Sequence, residues 1–188
     1  MVMILPDHEI MSMIKAGRIV IDPADGIEER IHPACLYLRL GDEFRLFKYT
    51  QEPFIDSKDP KSYTEAMKTN GKPIILHPKE FILGITMERI KLPADIAAYV
   101  DGRSSLGRLG ITAHITSSLV DPGFEGRLVL EISNLGKMPV TIYPGSKVCK
   151  LVFMKLTSPA KVPYNKLPDA KYANQNEVVE SKIYRDGK

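Results

Sequence analysis

Residues 121–134 read DPGFEGRLVLEISN, and this stretch predicts how the chain folds. Its first three residues, Asp-Pro-Gly, are a strong turn signal. In the segment 128–133 that follows, apolar residues occupy the even-numbered positions, which a strand would turn toward a core. Glu131 would then lie on the opposite, less apolar face. The stretch therefore predicts a turn that leads into a half-buried β-strand with one acidic side chain.

Strand-like segments recur on both sides of this stretch, and Pro and Gly turns separate many of them. We predict strands at 18–22, 36–47, 73–77, 81–86, 88–92, 97–100, 111–116, 128–133, 140–142 and 147–156. Many short strands with this punctuation indicate an all-β fold, a distorted β-barrel or jelly-roll, over residues 18–156. The strand 36–47 carries a polar break at Gly41-Asp42.

The two ends of the chain have different patterns. An N-terminal unit, residues 1–17, contains a predicted short helix at 7–16 that Asp7 caps and Gly17 ends. Residues 157–188 lose the strand pattern and predict a C-terminal arm that lies on the surface or closes over a site. A polar insertion at 48–72 would form a loop with one or two helical turns at 63–68. With 188 residues, the chain is expected to form a single domain, 1–188.

Composition narrows the class of protein. Hydrophobic residues make up 44% of the chain, yet no apolar run approaches the roughly 20 residues of a membrane span. The N-terminus lacks a signal-peptide pattern, so we expect a cytoplasmic protein with no membrane partner. The net charge of +3 permits an anionic ligand, but basic residues form no dense run and Trp is absent. We therefore expect no nucleic-acid partner.

Three candidate groups each have a functional and a purely structural interpretation. Glu131 is either a general base on the floor of a pocket or a solvated strand glutamate. The segment 101–110, DGRSSLGRLG, reads as a serine-capped helical turn that places Ser104 and Arg108 on one side. That turn either binds phosphate or carries an exposed arginine. Asp121, at a strand end, either hydrogen-bonds a sugar hydroxyl or caps the turn.

Metal and nucleophile motifs are missing from the sequence. Cys35 and Cys149 have no metal-ligand spacing and suggest no disulfide scaffold. The four histidines show no i, i+4 spacing, and His114 falls in the predicted strand 111–116. The G-x-S-x-G, P-loop and G-x-G-x-x-G patterns are also absent.

Several segments of the sequence, taken together, resemble the dCTP deaminase family of archaea and bacteria, within the dUTPase-like superfamily. The matching segments are 38–41, 102–110, 120–126, 130–131, 144–145, 151–153, 163–165, 169–172 and 174–175. The resemblance therefore covers nearly the full chain, apart from the variable region 48–72. The resemblance implies a dUTPase-like β-clip barrel that forms a homotrimer with active sites between subunits. It also implies metal-free hydrolysis of dCTP to dUTP and ammonia, which feeds dUMP and dTTP synthesis. Zinc deaminases need a P-C-x-x-C pair and an H-x-E segment, which this chain lacks.

The resemblance also implies roles for individual residues. Glu131 would act as general base and acid, with Ser104 and Arg108 of a neighbouring subunit orienting the water and stabilising charge. The substrate-binding positions are Arg103, Ser105, Leu106, Gly107, Asp121, Val129, Leu130, Tyr164, Lys171 and Gln175. Magnesium would be bound through the triphosphate and not by the protein, and dTTP is a candidate inhibitor.

Two departures from the family pattern leave alternatives open. Tyr37 stands where relatives have an aspartate, and Ser117-Ser118 occupies a loop whose identity tracks the fate of dUTP. A bifunctional enzyme that yields dUMP is therefore an alternative, as is a dUTPase that uses Asp121. Against a plain dUTPase, Phe124 replaces the usual sugar-stacking tyrosine. A third alternative is a non-catalytic nucleotide-binding regulator. The presence of Glu131, Ser104 and Arg108 argues against this alternative.

Overall fold

The computed structural model describes residues 3–48 and 53–186, in which strands far outnumber helices. The strands are β1 (Met3–Ile4), β2 (Val20–Asp22), β3 (Ile31–His32), β4 (Cys35–Phe47), β5 (Thr64–Lys68), β6 (Ile74–Leu76), β7 (Phe81–Lys91), β8 (Ile96–Gly102), β9 (Ile111–Thr112), β10 (Leu119–Val120), β11 (Glu125–Asn134), β12 (Val140–Ile142) and β13 (Lys147–Lys155). The helices are α1 (Asp7–Lys15) and α2 (Ser104–Gly107), with 3-10 turns at Tyr164–Lys166 and Ile183–Arg185. No helix within the two described ranges is long and apolar enough to cross a membrane.

The strands curl into a half-barrel, and all named strand pairs are antiparallel. The main sheet has the order β10-β8-β13-β4-β7-β11-β9, to which β1, β2, β3 and β5 add short pairings. The strands β12 and β6 form a separate pair. The predicted all-β, distorted barrel fold is thereby confirmed. The adjacency of β7 and β11 places the Glu131 strand inside the main sheet.

The long strand β4 joins two parts of the main sheet. Its first residues pair with β13 and its later residues with β7, with a shift in register just after Leu40. A Cβ on Gly41 would stand 2.6 Å from Arg127 Nη2 and 2.9 Å from the Ile85 carbonyl oxygen, so only glycine fits this close approach. The strand predicted over 36–47 is thus confirmed, and the polar break at Gly41-Asp42 falls where the strand shifts register and changes partners.

The core is built from alternate residues of the long strands. In β11, Leu130 and Ile132 are fully buried and Leu128 is 9% exposed, whereas Val129 and Glu131 are half-buried. The alternation predicted for 128–133 is confirmed from Leu128 to Ile132, whereas Ser133, predicted on the less apolar face, is buried with 6% exposure. Burying each large aliphatic side chain stabilises the fold by about 1.5–3 kcal/mol. Core packing of one face thus leaves the other face of β11 to line a cavity.

The N-terminal helix confirms the predicted element but not its cap. Pro6 is the N-cap, and Asp7 is the first helical residue, whose carboxylate accepts a 2.8 Å hydrogen bond from the His8 amide. Ile10 is fully buried on the face that packs against the core. Gly17 has φ of +68°, a left-handed conformation that suits glycine and ends the helix as predicted.

The helical turns predicted at 63–68 are wrong. Residues Thr64–Lys68 form β5, which pairs with β4 from Glu43–Lys68 to Phe47–Thr64. The C-terminal half of β4 offers hydrogen-bonding groups that this segment satisfies, so tertiary pairing overrides the local helical tendency. Residues 49–52 of the predicted loop lie outside the described residues.

The chain after residue 156 runs back over β11 and the turn before it. The Tyr164 amide donates to the Pro122 carbonyl at 2.8 Å, and the Arg127 amide donates to the Gln175 carbonyl at 2.7 Å. Gly123 has φ of +80°, and a Cβ there would lie 2.6 Å from the Pro163 Cβ. The Asp-Pro-Gly turn is therefore also the place where the arm packs.

A cluster of ion pairs lies between β4, β7 and the segment before β3. Glu88 is fully buried, and its Oε1 lies 2.7 Å from Arg30 Nη1 and 2.6 Å from Arg39 Nε. The Arg39 guanidinium also pairs with Asp25 through contacts of 2.7 and 2.9 Å. Hydrogen bonds from Arg39 hold the pKa of Asp25 below its ordinary value. Two arginines and two carboxylates thus balance one another.

Candidate active site

Glu131 lies near the middle of β11, on the face that does not enter the core. Its Oε2 accepts hydrogen bonds from the Thr116 amide at 3.0 Å, the Ile115 amide at 3.3 Å and the Thr116 hydroxyl at 3.3 Å. Within residues 3–48 and 53–186, no basic side chain forms an ion pair with it. Neutral donors therefore hold one oxygen, while Oε1 makes only a 3.5 Å contact with the Thr116 hydroxyl.

Two adjoining cavities lie against this face of β11. The one that contains Glu131 has a volume of about 380 Å³, and the other, which contains Asp121, has about 220 Å³. They share six lining residues, His114, Ser117, Phe124, Leu128, Val129 and Tyr172. Together they offer a mainly apolar surface with Asp121 in the smaller cavity and Glu131 and Glu180 in the larger one, an arrangement suited to an organic ligand with a few polar groups.

Six of the residues predicted for the site line these cavities. Glu131 and Gln175 line the larger cavity, Asp121, Leu130 and Tyr164 line the smaller one, and Val129 lines both. Burial raises the pKa of Tyr164, whose hydroxyl accepts a 3.1 Å hydrogen bond from the Tyr172 amide. These residues come from β11, the turn before it and the arm, so the fold of one chain brings them together.

The arm places Gln175 at this site through its backbone and side chain. The Gln175 Nε2 donates to the Arg127 carbonyl at 3.1 Å, whereas its buried Oε1 has no hydrogen-bond partner among the described residues. Lys171 does not line either cavity, and its ammonium pairs with Asp186 farther along the arm. The hydrogen bond that the Lys171 ammonium donates to Asp186 is the main reason that the pKa of Lys171 is raised.

The Ser-Ser-Leu turn lies elsewhere in the chain. Residues 103–108 are absent from the described lining of both cavities, and Gly107 and Arg108 instead border an open groove formed with residues 136–141. Ser104, Ser105 and Arg108 are exposed, and Leu106 is half-buried. Ser104 is the first residue of α2 and not its predicted cap, because Arg103 occupies that position with an extended backbone. One chain alone does not bring Ser104 and Arg108 to Glu131.

Arg103 is held by neutral partners. Its guanidinium lies 5.0 Å from the centre of the Tyr37 ring, and its Nη1 donates to the Lys147 carbonyl at 2.9 Å. The Tyr37 ring also meets His32 edge-on, with the ring centres 4.6 Å apart. Tyr37 therefore holds Arg103 without neutralising its charge.

His114 is a site residue that the sequence did not reveal. It lies after β9 and not in a strand, because β9 ends at Thr112. It is half-buried, lines both cavities, and neither ring nitrogen has a hydrogen-bond partner among the described residues. Ser117 in the same loop has φ of +50°. A lone histidine carries no spacing signal, so only the fold could identify it.

The described residues offer no site for a bound metal. They contain no group of three or more His, Cys, Asp or Glu side chains that could hold an ion. Cys149 is fully buried, and burial raises the pKa of its thiol above the ordinary range.

Comparisons with known proteins agree with this architecture. Residues 4–156 match the family model described as dCTP deaminase-like. The chain is 50% identical to a protein of Methanosphaera stadtmanae over 97% of this chain and 95% of that one. It is 47% identical to a protein of Methanobrevibacter smithii over 97% and 96% of the two chains. Both relatives are named dCTP deaminase, dUMP-forming.

A solved structure shows a similar fold. The 2'-deoxycytidine 5'-triphosphate deaminase from Agrobacterium tumefaciens superposes with a TM-score of 0.65 at 23% identity. The match covers 82% of this chain and 48% of that one, so this chain spans about half of the Agrobacterium chain. The family model and the relatives establish the lineage independently of this structure. This chain belongs to the dCTP deaminase-like family of enzymes.

Proposed function

We propose that this chain hydrolyses dCTP to dUTP and ammonia, with Glu131 as general base and then general acid. The observation that supports this role is the position of its carboxylate, which lines the larger cavity with one oxygen hydrogen-bonded and the other largely free. Glu131 would take a proton from water, and the hydroxide oxygen would form a bond to C4 of cytosine. Protons would then pass to N3 and to the amino group, and the C4–N bond would break to release ammonia.

The second part of the proposed site comes from a neighbouring subunit of a homotrimer. A developing negative charge beside Glu131 needs a cation, and no described cation of the same chain pairs with this carboxylate. Ser104 and Arg108 are exposed on a short turn and free to face another copy. In that position Ser104 would orient the water and Arg108 would stabilise the charge.

The remaining predicted residues would hold the nucleotide. Asp121 would accept a hydrogen bond from the deoxyribose, and the backbone of Val129 and Leu130 would read the base edge. The triphosphate would lie against the turn 103–107 and the three arm residues Tyr164, Lys171 and Gln175. Magnesium would accompany the triphosphate, and dTTP could compete for the same groups. Lys171 would have to leave Asp186 to bind phosphate.

A second candidate is a two-step reaction that ends in dUMP, and the names of the two relatives favour it over release of dUTP. The exposed Asp121 carboxylate beside the smaller cavity is the group available for this step. It would take a proton from a second water, which attacks the α-phosphorus of dUTP. The bond to the bridging oxygen would break, giving dUMP and pyrophosphate.

Product analysis tests these proposals. The protein is incubated with dCTP or with dUTP in the presence of magnesium, and the nucleotides are separated by chromatography. Formation of dUMP and pyrophosphate from both substrates would support the two-step reaction. Formation of dUTP alone from dCTP would restrict the enzyme to deamination. Absence of turnover would contradict both and leave a nucleotide-binding regulator.

Mixed oligomers test whether the site is shared between chains. Glu131→Gln and Arg108→Ala would each be inactive alone, but a random mixture would contain interfaces that combine one intact Glu131 with one intact Arg108. In a trimer with equal amounts of the two chains, about a quarter of the sites would be restored. Co-expression with two affinity tags supplies the mixture. Failure of the purified mixed trimer to regain activity would contradict a shared site.

A further inference from the structure

One carboxylate of the C-terminal arm is bonded to Ser62 and to Thr64, the first residue of β5. The Glu180 Oε1 accepts hydrogen bonds from the Thr64 hydroxyl at 2.6 Å, the Thr64 amide at 2.8 Å and the Ser62 hydroxyl at 3.2 Å. Arg45 on β4 lies 3.4 Å from the same oxygen and donates from Nε to the Thr64 hydroxyl at 2.6 Å. Three donors and one cation thus converge on a single oxygen of the arm.

A second contact beside it joins the same two segments. The Tyr63 hydroxyl accepts a 3.0 Å hydrogen bond from the Ser181 amide. The Tyr63 ring packs against Phe47 with ring centres 5.4 Å apart, and Phe47 packs against Phe81 at 5.2 Å. We call residues 62–64 together with Glu180 and Ser181 the arm latch.

The arm latch forms part of the wall of the larger cavity. Tyr63, Glu180 and Ser181 line the cavity that contains Glu131 and Gln175. Around this cavity the arm is bonded to β11 at residues 174–175 and to residues 63–64, at the start of β5, through residues 180–181. The arm is also bonded to the turn before β11 through Tyr164.

The arm latch stabilises the closed position of the arm because its hydrogen-bond donors on Thr64 are buried. Thr64 is 1% exposed, so its amide and hydroxyl would lose their acceptor, with little access to water, if the arm moved away. Leaving buried donors unpaired is more costly than the net worth of an ordinary hydrogen bond. Burial by itself would raise the pKa of Glu180, but the bonds from Thr64 and the charge of Arg45 outweigh it and lower that pKa.

We propose that Glu180 is a positioning residue that fastens the arm over the Glu131 cavity and thereby sets the affinity for the nucleotide. It does not touch the reacting atoms. It acts through Tyr172 and Gln175, which the arm carries to the cavity. Residues 62–64, which lie within the predicted polar insertion 48–72, thereby become part of the binding site as the anchor to which the arm is fixed. This inference rests on the proposed function for the identity of the ligand alone.

The experiment compares Glu180→Ala and Glu180→Gln with Glu177→Ala. Glu177 lies on the same arm and is exposed, so its removal changes the charge equally without touching residues 62–64. Hydrogen exchange of the nucleotide-free protein is followed in peptides around residues 60–66 and 178–184. We expect about tenfold faster exchange there in Glu180→Ala, a smaller increase in Glu180→Gln, which keeps an acceptor, and none in Glu177→Ala.

Binding of dCTP is then measured by calorimetry in a Glu131→Gln background, in which the ligand is not consumed. Glu180→Ala should raise the dissociation constant about tenfold, whereas Glu177→Ala should leave it within about twofold. In the otherwise unaltered enzyme, Glu180→Ala should raise KM and leave kcat within about twofold.

Several results would overturn this role for Glu180. One is a dissociation constant for Glu180→Ala equal to that of Glu177→Ala. Another is exchange that accelerates across the whole barrel, because this would indicate a general structural role. An enzyme without turnover of dCTP would refute the proposed function but not the arm latch, since exchange is measured without nucleotide.

Discussion

Glu88 and Glu131 stand on neighbouring strands of one sheet, β7 and β11, yet their surroundings are opposite. Glu88 is fully buried and paired with two arginines, whereas Glu131 is half-buried and, among the described residues, bonded only to neutral groups. The first carboxylate has its charge balanced and its oxygens occupied. The second retains an oxygen that faces a cavity. The difference teaches that burial and charge pairing, and not residue type, separate a structural acid from an acid available for chemistry.

The largest expected effect is on turnover in Glu131→Gln. Removing the general base should lower kcat about 10²–10⁴-fold, because the amide cannot take a proton from water. The midpoint of thermal unfolding should change little, since the neutral donors around residue 116 can still bond an amide oxygen. Steady-state kinetics with dCTP and a melting curve measure both quantities. Near-normal turnover would remove Glu131 from the mechanism.

For Glu88→Gln we expect the opposite result, which is a loss of stability with little change in activity. Breaking a buried ion pair should lower the free energy of unfolding by about 3–5 kcal/mol, because Arg30 is left with an uncompensated charge. Activity per folded molecule should stay within a few fold. Urea unfolding measures the stability, and Glu65→Gln, an exposed change on β5, serves as the control. A Glu88→Gln protein as stable as this control would break the comparison.

The comparison extends to arginines. Arg39 is neutralised by two carboxylates, whereas Arg103 contacts the Tyr37 ring and a carbonyl and pairs with no carboxylate among the described residues, so we expect it to be available to an anion. Tyr37→Leu should therefore raise KM for dCTP about two- to fivefold with little change in kcat, and Tyr37→Phe should behave as the unaltered enzyme. Steady-state kinetics with dCTP at fixed ionic strength measures both KM and kcat. A drop in kcat at constant KM would contradict a role in phosphate binding.

The smallest expected effect concerns Asp25, which pairs with Arg39 in the cluster of ion pairs around Glu88. The pKa of Asp25 is lowered by Arg39, so its contribution to stability is present above the ordinary aspartate pKa of about 3.9 and is lost as the pH falls through the lowered value. The difference in unfolding midpoint between the unaltered protein and Asp25→Asn should therefore shrink below about pH 4. Melting curves between neutral pH and pH 3 measure it. A difference that grows on acidification would contradict this assignment.

Much of the barrel could be predicted because each strand carries its own alternation. The strand at 140–142 matches β12 in full, and the segment 128–133 lies within β11. The helical turns predicted at 63–68 failed because β5 depends on its partner β4. Local propensity contains no information about an open edge supplied by another strand.

The residues of the candidate site are likewise of two kinds, those that the sequence could predict and those that it could not. Asp121, Val129 and Glu131 lie close in sequence, and their convergence follows from one turn and one strand. His114 was overlooked, and the bond between Thr64 and Glu180 joins residues 116 positions apart. Such contacts leave no periodic mark on the sequence, because they arise from the path of the whole chain.

By itself, the sequence determined the period-2 pattern of the barrel strands, the Asp-Pro-Gly turn and the motifs that place the chain in its family. Those features depend on neighbours along the chain, where backbone geometry decides which face each side chain takes. Only the tertiary structure decided which glutamate is paired by arginines, which one lines a cavity, and where the arm is fastened. The physical reason is that burial and charge pairing are set by residues distant in sequence, which meet only when the sheet has formed.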